Sequence, residues 1–165
     1  MTFTYSCSRI IYDDHVATLA LLSEVERRIL SHRNGAPEID QDYRRFIDRY
    51  CKALNTEVTT HFDFEEVALF PVITDYGDGA LCELLLEEHH VLLNVVSDVV
   101  TLAQAGRDNG FSAEDWSKFR RLSGELAERL TSHIEKEDRA LIPAMEEALT
   151  PELDTELAAR HDMEA

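Results

Sequence analysis

Apolar positions in this chain recur every three or four residues along four long stretches, and almost nowhere in strict alternation. That period belongs to amphipathic helices, whose buried face returns once per turn. The first predicted helix runs from about Ser8 to Ser31, with the inward stripe Ile11, His15, Leu19, Leu22, Val25 or Glu26, and Ile29. NGAPEID (34–40) interrupts it, Gly35 as a stop and Pro37 as a restart. The second runs from about Glu38 into Leu69-Phe70-Pro71, through Phe46 or Ile47, Tyr50, Leu54, Val58, His61, Glu65 and Ala68. After a turn at DYGDG (75–79), the third covers about Ala80 to Ala105, ending at Gly106, with Leu81, Leu85, Glu88 or His89, Leu92, Val96 and Val99 inward. Ser112 with Asp115 reads as a capping box opening the fourth. That helix continues to about Leu149 through Phe119, Leu122, Leu126, Leu130, His133, Glu137 and Leu141. Pro71 and Pro143 are expected to bend or stop their helices, because proline removes a helical hydrogen bond. Short connections between such helices predict an all-α, up-down-up-down four-helix bundle. It would occupy residues 1–150, with 151–165 a short acidic C-terminal tail.

These stripes are not wholly apolar. His61-x-x-x-Glu65 and His133-x-x-x-Glu137 are one motif written twice, and the repeat extends to Ala68 with Ala140, Leu69 with Leu141, and Pro71 with Pro143. Residues i and i+4 stack on one helix face, so each segment presents an imidazole and a carboxylate from the same side. Solvent-facing pairs of this kind are common and contribute only about 0.2–0.5 kcal/mol; here both lie on the apolar stripe. His15 and His89 stand at the corresponding place in the helices before them. A bundle built from these stripes draws His15, His61, Glu65, His89, His133 and Glu137 into its interior. Such groups cannot be left dry and uncompensated. Two cations would compensate them, and the mixture of imidazole and carboxylate without thiolate suits iron, manganese or zinc. A ferritin-like site needs Glu-x-x-His on two helices, and here only Glu87…His90 has that spacing.

Several neighbours compete for the same roles. His89 continues the stripe of Leu85, Leu92 and Val96, whereas His90 falls on the adjacent face with Leu86 and Leu93. Glu66, Glu88 and Asp138 read first as solvated surface acids, and second as partners orienting imidazoles. His32 and His161 read as solvated; Tyr12, Tyr43 and Tyr50 read as packing.

The segments D-D-H (13–15), H-F-D-F-E-E-V-A-L-F-P (61–71), E-E-H (87–89) and H-I-E-K-E-D-R-A-L-I-P (133–143) together resemble the hemerythrin-like family, in its HHE cation-binding branch, over about residues 10–148. The resemblance implies a four-helix bundle around a non-haem di-iron centre. Its ligands would be His15, His61, Glu65, His89, His133 and Glu137, with both glutamates bridging. Oxygen carriers of the family use His-x-x-x-x-Asp on the last helix, which His133…Asp138 also fits; the internal repeat with Glu65 favours Glu137. They also carry His-x-x-x-His on the third helix, where this chain has Leu93 after His89 and Asn94 after His90. One iron would then lack an imidazole. The function implied is binding or sensing of O2 or NO. The alternatives are a peroxide-decomposing redox enzyme, and an iron storage, sensing or iron–sulfur repair module. Relatives assigned to repair carry a cysteine-containing N-terminal segment, and here Cys7 stands alone in that region.

Net charge narrows the partners. At −17, the chain repels nucleic acid and anionic membrane surfaces, which need Lys and Arg to neutralise phosphates. Cys7, Cys51 and Cys82 are odd in number and lack C-x-x-C spacing, so neither a disulfide framework nor a thiolate site is expected. No signal-like or membrane-spanning segment is evident, and the cytoplasm is the expected compartment.

Overall fold

A computed structural model describes residues 2–164. Among them the chain forms four long helices and a shorter fifth, without strands. We number these α1 (residues 6–30), α2 (41–73), α3 (Gly79–Asn109), α4 (113–148) and α5 (Pro151–Glu164). The first four make the up-down-up-down bundle, with α3 packed along α4, α2 along α3, and α1 against both α4 and α5.

The helix ends follow local chemistry. α2 starts at Gln41 rather than Glu38, because Asp40 is extended and its carboxylate accepts the Tyr43 amide at 2.8 Å. α4 opens as expected: the Ser112 hydroxyl donates to Asp115 Oδ2 at 2.6 Å and accepts from the Asp115 amide at 3.1 Å. Gly77, at φ 132°, makes the corner between α2 and α3 that a residue with a Cβ would resist.

Neither motif proline stops its helix. Immediately before each, over Glu65–Leu69 and Glu137–Leu141, the backbone widens to i→i+5 hydrogen bonding. α-Helical geometry then resumes at Phe70 and Ile142, so Pro71 and Pro143 fall in a first turn, where a missing N–H costs little. The widening absorbs the proline, and it does so in a turn that begins with a buried glutamate.

Gly106 does not end α3 either. The helix runs to Asn109 and terminates at Gly110, whose φ is 77°. Gly106 is buried within it because the Phe111 ring lies over its Cα; a Cβ there would sit 2.1 Å from that ring.

Two apolar clusters divide the interior. The larger contains Leu22, Leu54, Val58, Phe62, Leu92, Val96, Leu126 and Leu130. The other contains Ile11, Phe64, Ala68, Leu69, Leu85, Leu141 and Met145. Each of α1 to α4 passes from one cluster to the other through a polar position: His15, His61 with Glu65, His89, and His133 with Glu137.

The acidic stretch after Pro151 is α5, which folds back over α1. Leu157 is buried, and the Asp154 carboxylate accepts the Ser6 and Cys7 amides at 3.1 and 2.7 Å. Glu146 of α4 accepts the Thr4 and Tyr5 amides just before them. These acids occupy the positive end of the α1 dipole and satisfy its free N–H groups.

Gly106→Ala is expected to destabilise the protein by about 1–3 kcal/mol despite alanine's better helix propensity, because the Phe111 ring must leave its place against Trp116 and Phe119. Urea unfolding of the two proteins measures this; equal midpoints would contradict it.

Candidate metal centre

The six inward polar residues meet in one layer. His15, Glu65, His89, His133 and Glu137 are at most 2% exposed, and His61 is 9% exposed. Glu137 Oε2 lies 3.1 Å from His15 Nε2, and Glu137 Oε1 lies 2.9 Å from His133 Nε2. Glu65 Oε1 lies 3.3 Å from His61 Nε2, and Glu65 Oε2 lies 3.4 Å from His89 Nε2. Each carboxylate thus spans one imidazole of its own helix and one of a neighbouring helix.

Their atoms fall into two overlapping sets of donors. His15, His61, Glu65 and Glu137 offer atoms within 4.8 Å of one another, as do Glu65, His89, His133 and Glu137. Both glutamates belong to both sets. His90 is exposed and lies outside them, and Asp138 supports the layer from beyond it.

A ring of carboxylates aims the imidazoles. His15 Nδ1 meets Asp138 at 2.8 Å, His61 Nδ1 meets Asp14 at 3.1 Å, His89 Nδ1 meets Glu66 at 2.8 Å, and His133 Nδ1 meets Glu88 at 2.9 Å. An ionised carboxylate only accepts, so each Nδ1 carries the hydrogen and donates it, leaving an Nε2 lone pair to point inward in the neutral ring. The ring closes around the bundle: α1 supplies the acid for α2, α2 for α3, α3 for α4, and α4 for α1. Glu66, Glu88 and Asp138 are therefore not the solvated surface acids expected of them. Asp14 carried no assigned role in the sequence. Its signal was the internal repeat, since an acid precedes both His15 and His89, and another follows both Glu65 and Glu137.

His161 also departs from the solvated expectation. Its Nε2 lies 3.2 Å from Asp14 Oδ2, the oxygen that His61 Nδ1 approaches, and its ring stands edge-on to Phe64. Tyr12, Tyr43 and Tyr50 pack against Phe3 or Phe46, as expected.

The donor set fits cations. All four oxygens of Glu65 and Glu137, and Nε2 of His15, are buried without a hydrogen-bond partner, because the close approaches are poorly aligned. Leaving such groups unpaired costs several kcal/mol for each charge. His89 Nε2 and His133 Nε2 are 3.0 Å apart. Two neutral imidazoles aimed this way oppose lone pairs, whereas nitrogens bound at about 2.1 Å and at right angles to one ion would sit about 3 Å apart.

Without cations, protons take up the charge. Burial disfavours the charged imidazoles, but Glu137 and Glu65 outweigh it and push His89 up to about 9. His61 and His15 also move up against burial, drawn mainly by Glu65 and Glu137 respectively. Glu137 moves well below the usual carboxylate range: burial opposes this, but His133, His15 and His89 prevail. Asp14 and Glu88 are lowered despite burial, Asp14 chiefly by His61 and Glu88 chiefly by Lys136.

Phe62 stacks on His89 with ring centres 3.9 Å apart and meets the His133 ring edge-on. A cavity of about 10 Å³ lies beside the layer, bounded by His15, His61, His133 and Glu137 and by Thr18, Val58, Phe62, Leu130 and Ile134.

Compared with known families, residues 8–145 match the hemerythrin HHE cation-binding domain. The chain belongs to this family, and the layer of histidines and glutamates is compatible with a metal-binding site at its centre. No curated protein matches it. No helix among the described residues is long and apolar enough to cross a membrane.

If the ring holds the imidazoles for metal, Glu88→Gln lowers metal affinity by about 10–100-fold, whereas Glu87→Gln beside it does not. Chelator competition measures both, and equal affinities would show the ring to be inert.

Proposed function

We propose that the chain is a non-haem di-iron protein that binds or senses a small diatomic molecule, O2 or NO, in the core of the bundle. His15 and His61 would hold one ion, His89 and His133 the other, and Glu65 and Glu137 would bridge both. Iron, when bound, supplies a redox couple and affinity for a diatomic ligand. The protein's residues do the rest. The carboxylates balance charge across both positions, and the ring acids keep the imidazoles in one tautomer and one orientation. Phe62, Val58, Leu130 and Ile134 keep the adjoining space apolar.

The two overlapping donor sets, with a small space beside them, carry this reading. At about 10 Å³ that space is at the lower limit for a single water-sized guest. A space of that size beside the donors leaves no room for a large substrate, and the reading rests on the two donor sets that flank it. With two imidazoles for each position, neither ion would have its coordination completed by protein. Manganese and zinc suit the same donors, and metal content separates them.

The test combines stoichiometry with spectra. Purified protein is expected to contain two irons per chain; His133→Ala is expected to lose one, and Glu137→Ala, which removes a donor from both sets, to lose both. Reduced, iron-loaded protein should develop charge-transfer bands on exposure to O2 or NO. An unchanged spectrum with either gas would end the diatomic reading, and one zinc per chain would end the redox chemistry altogether.

A second reading, peroxide decomposition, is favoured by a solvent-open cleft of about 220 Å³ against His61, walled by Thr18, Thr56 and Thr60. Such a cleft suits a small polar substrate. Oxygen evolution from hydrogen peroxide by the iron-loaded protein should then be lost in Glu65→Ala; equal rates would assign the activity to loose iron.

A further inference from the structure

We infer that small molecules reach the metal layer through the threonine-walled cleft between α1, α2 and α5, with Thr18 as its inner partition and His161 as its outer closure. The inference rests on the metal-centre reading but not on which gas is bound. The cavity beside the donors and the cleft at the surface share two wall residues, Thr18 and His61. On this side a donor residue, His61, itself faces the cleft, and Thr18 lies between the cleft and the cavity.

Two other surface depressions near the layer do not border the cavity. The larger groove between α3 and α4 has a volume of about 570 Å³ and is walled by residues such as Glu88, Leu92 and Ser132, none of which borders the cavity. The groove along α1 and α4, walled by Leu22, Gly124 and Thr131, also has no wall in common with it. His61 is likewise the most exposed of the six donors. Volume alone would pick the α3/α4 groove; adjacency picks the smaller cleft.

The walls suit small, polar or weakly polar guests of two or three atoms. Thr18, Thr56 and Thr60 each offer a methyl and a hydroxyl, and the Asp14 carboxylate in the same wall is engaged by His61 and His161. Thr18 is the one threonine that faces both spaces, and its side-chain size sets the width of the passage. His161 stands at the mouth, tied to Asp14 and edge-on to Phe64. It is contributed by α5, which lies outside the matched residues 8–145, so this closure is an addition to the matched domain. His161 is a positioning residue: it holds Asp14, which in turn aims His61.

The test uses cobalt(II)-loaded protein and azide, because the cobalt spectrum reports ligand entry whether or not iron binds O2 or NO. Thr18→Leu is expected to slow azide association by on the order of tenfold, one decade of rate. His161→Ala should accelerate it, and Ser132→Leu in the α3/α4 groove should leave it unchanged. Cobalt content is measured in every variant; where Thr18→Leu loads poorly, Thr60→Leu, which lines only the cleft, takes its place with the same expectation. Unaltered association in the cleft variants, slower association in Ser132→Leu, or no azide response from the unmodified protein would overturn the route. Failure of iron-loaded protein to respond to NO would instead count against the diatomic function and leave the cobalt result standing.

Discussion

Six charged or lone-pair-bearing side chains converge in the middle of an apolar bundle, and all four glutamate oxygens and His15 Nε2 among them lack a hydrogen-bond partner. This constraint orders the rest of the molecule. Carboxylates and imidazoles taken from water and left unpaired would cost several kcal/mol each, a large part of the roughly 5–15 kcal/mol that stabilises a domain. The fold accepts that cost in a single layer and places a well-packed apolar cluster on either side. Cations are the compensation that this geometry fits, and in their absence protons partly replace them.

The layer is stiff because it is built on helices and not on loops. Each imidazole is fixed at both ends, with Nδ1 tied to a carboxylate of one neighbouring helix and Nε2 turned inward. Every helix both gives an acid to the next helix and receives one from the last, so displacing any helix disturbs two imidazoles. The widened turns at Glu65–Leu69 and Glu137–Leu141 belong to the same device. They let each helix pass a proline without breaking, and each begins at one of the two glutamates shared by both donor sets.

The layer itself is close to two-fold symmetric, as the internal repeat requires: His15 answers His89, His61 answers His133, and Glu65 answers Glu137. Its surroundings are not. Asp14 is contacted by His161 from α5, and its counterpart Glu88 by Lys136 from α4. The cavity and the threonine-walled cleft share Thr18 and His61, whereas the α3/α4 groove meets His133 through Glu88 and does not border the cavity. α5 and Thr18 thus distinguish two halves that the duplicated motifs leave alike.

The stripes of three and four spacing were enough to place Ile11, Leu54, Leu92, Leu126 and all six donors on inward faces, because the period of a helix is a local property. They also favoured His89 over His90 and Glu137 over Asp138. What they could not decide was which neighbour each flank would meet. An acid one residue from an inward donor lies about 100° round the helix. From one helix alone that position reads as solvated, and only the arrangement of the four rods makes Asp14, Glu66, Glu88 and Asp138 into a ring. The same holds for Gly106, a stop by local rules and a packing site by contact with Phe111, and for α5, whose burial depends on the α1 surface beneath it. The chain by itself determined which side chains turn inward; the packing of one helix against the next determined what each of them touches, because those contacts join residues far apart in sequence.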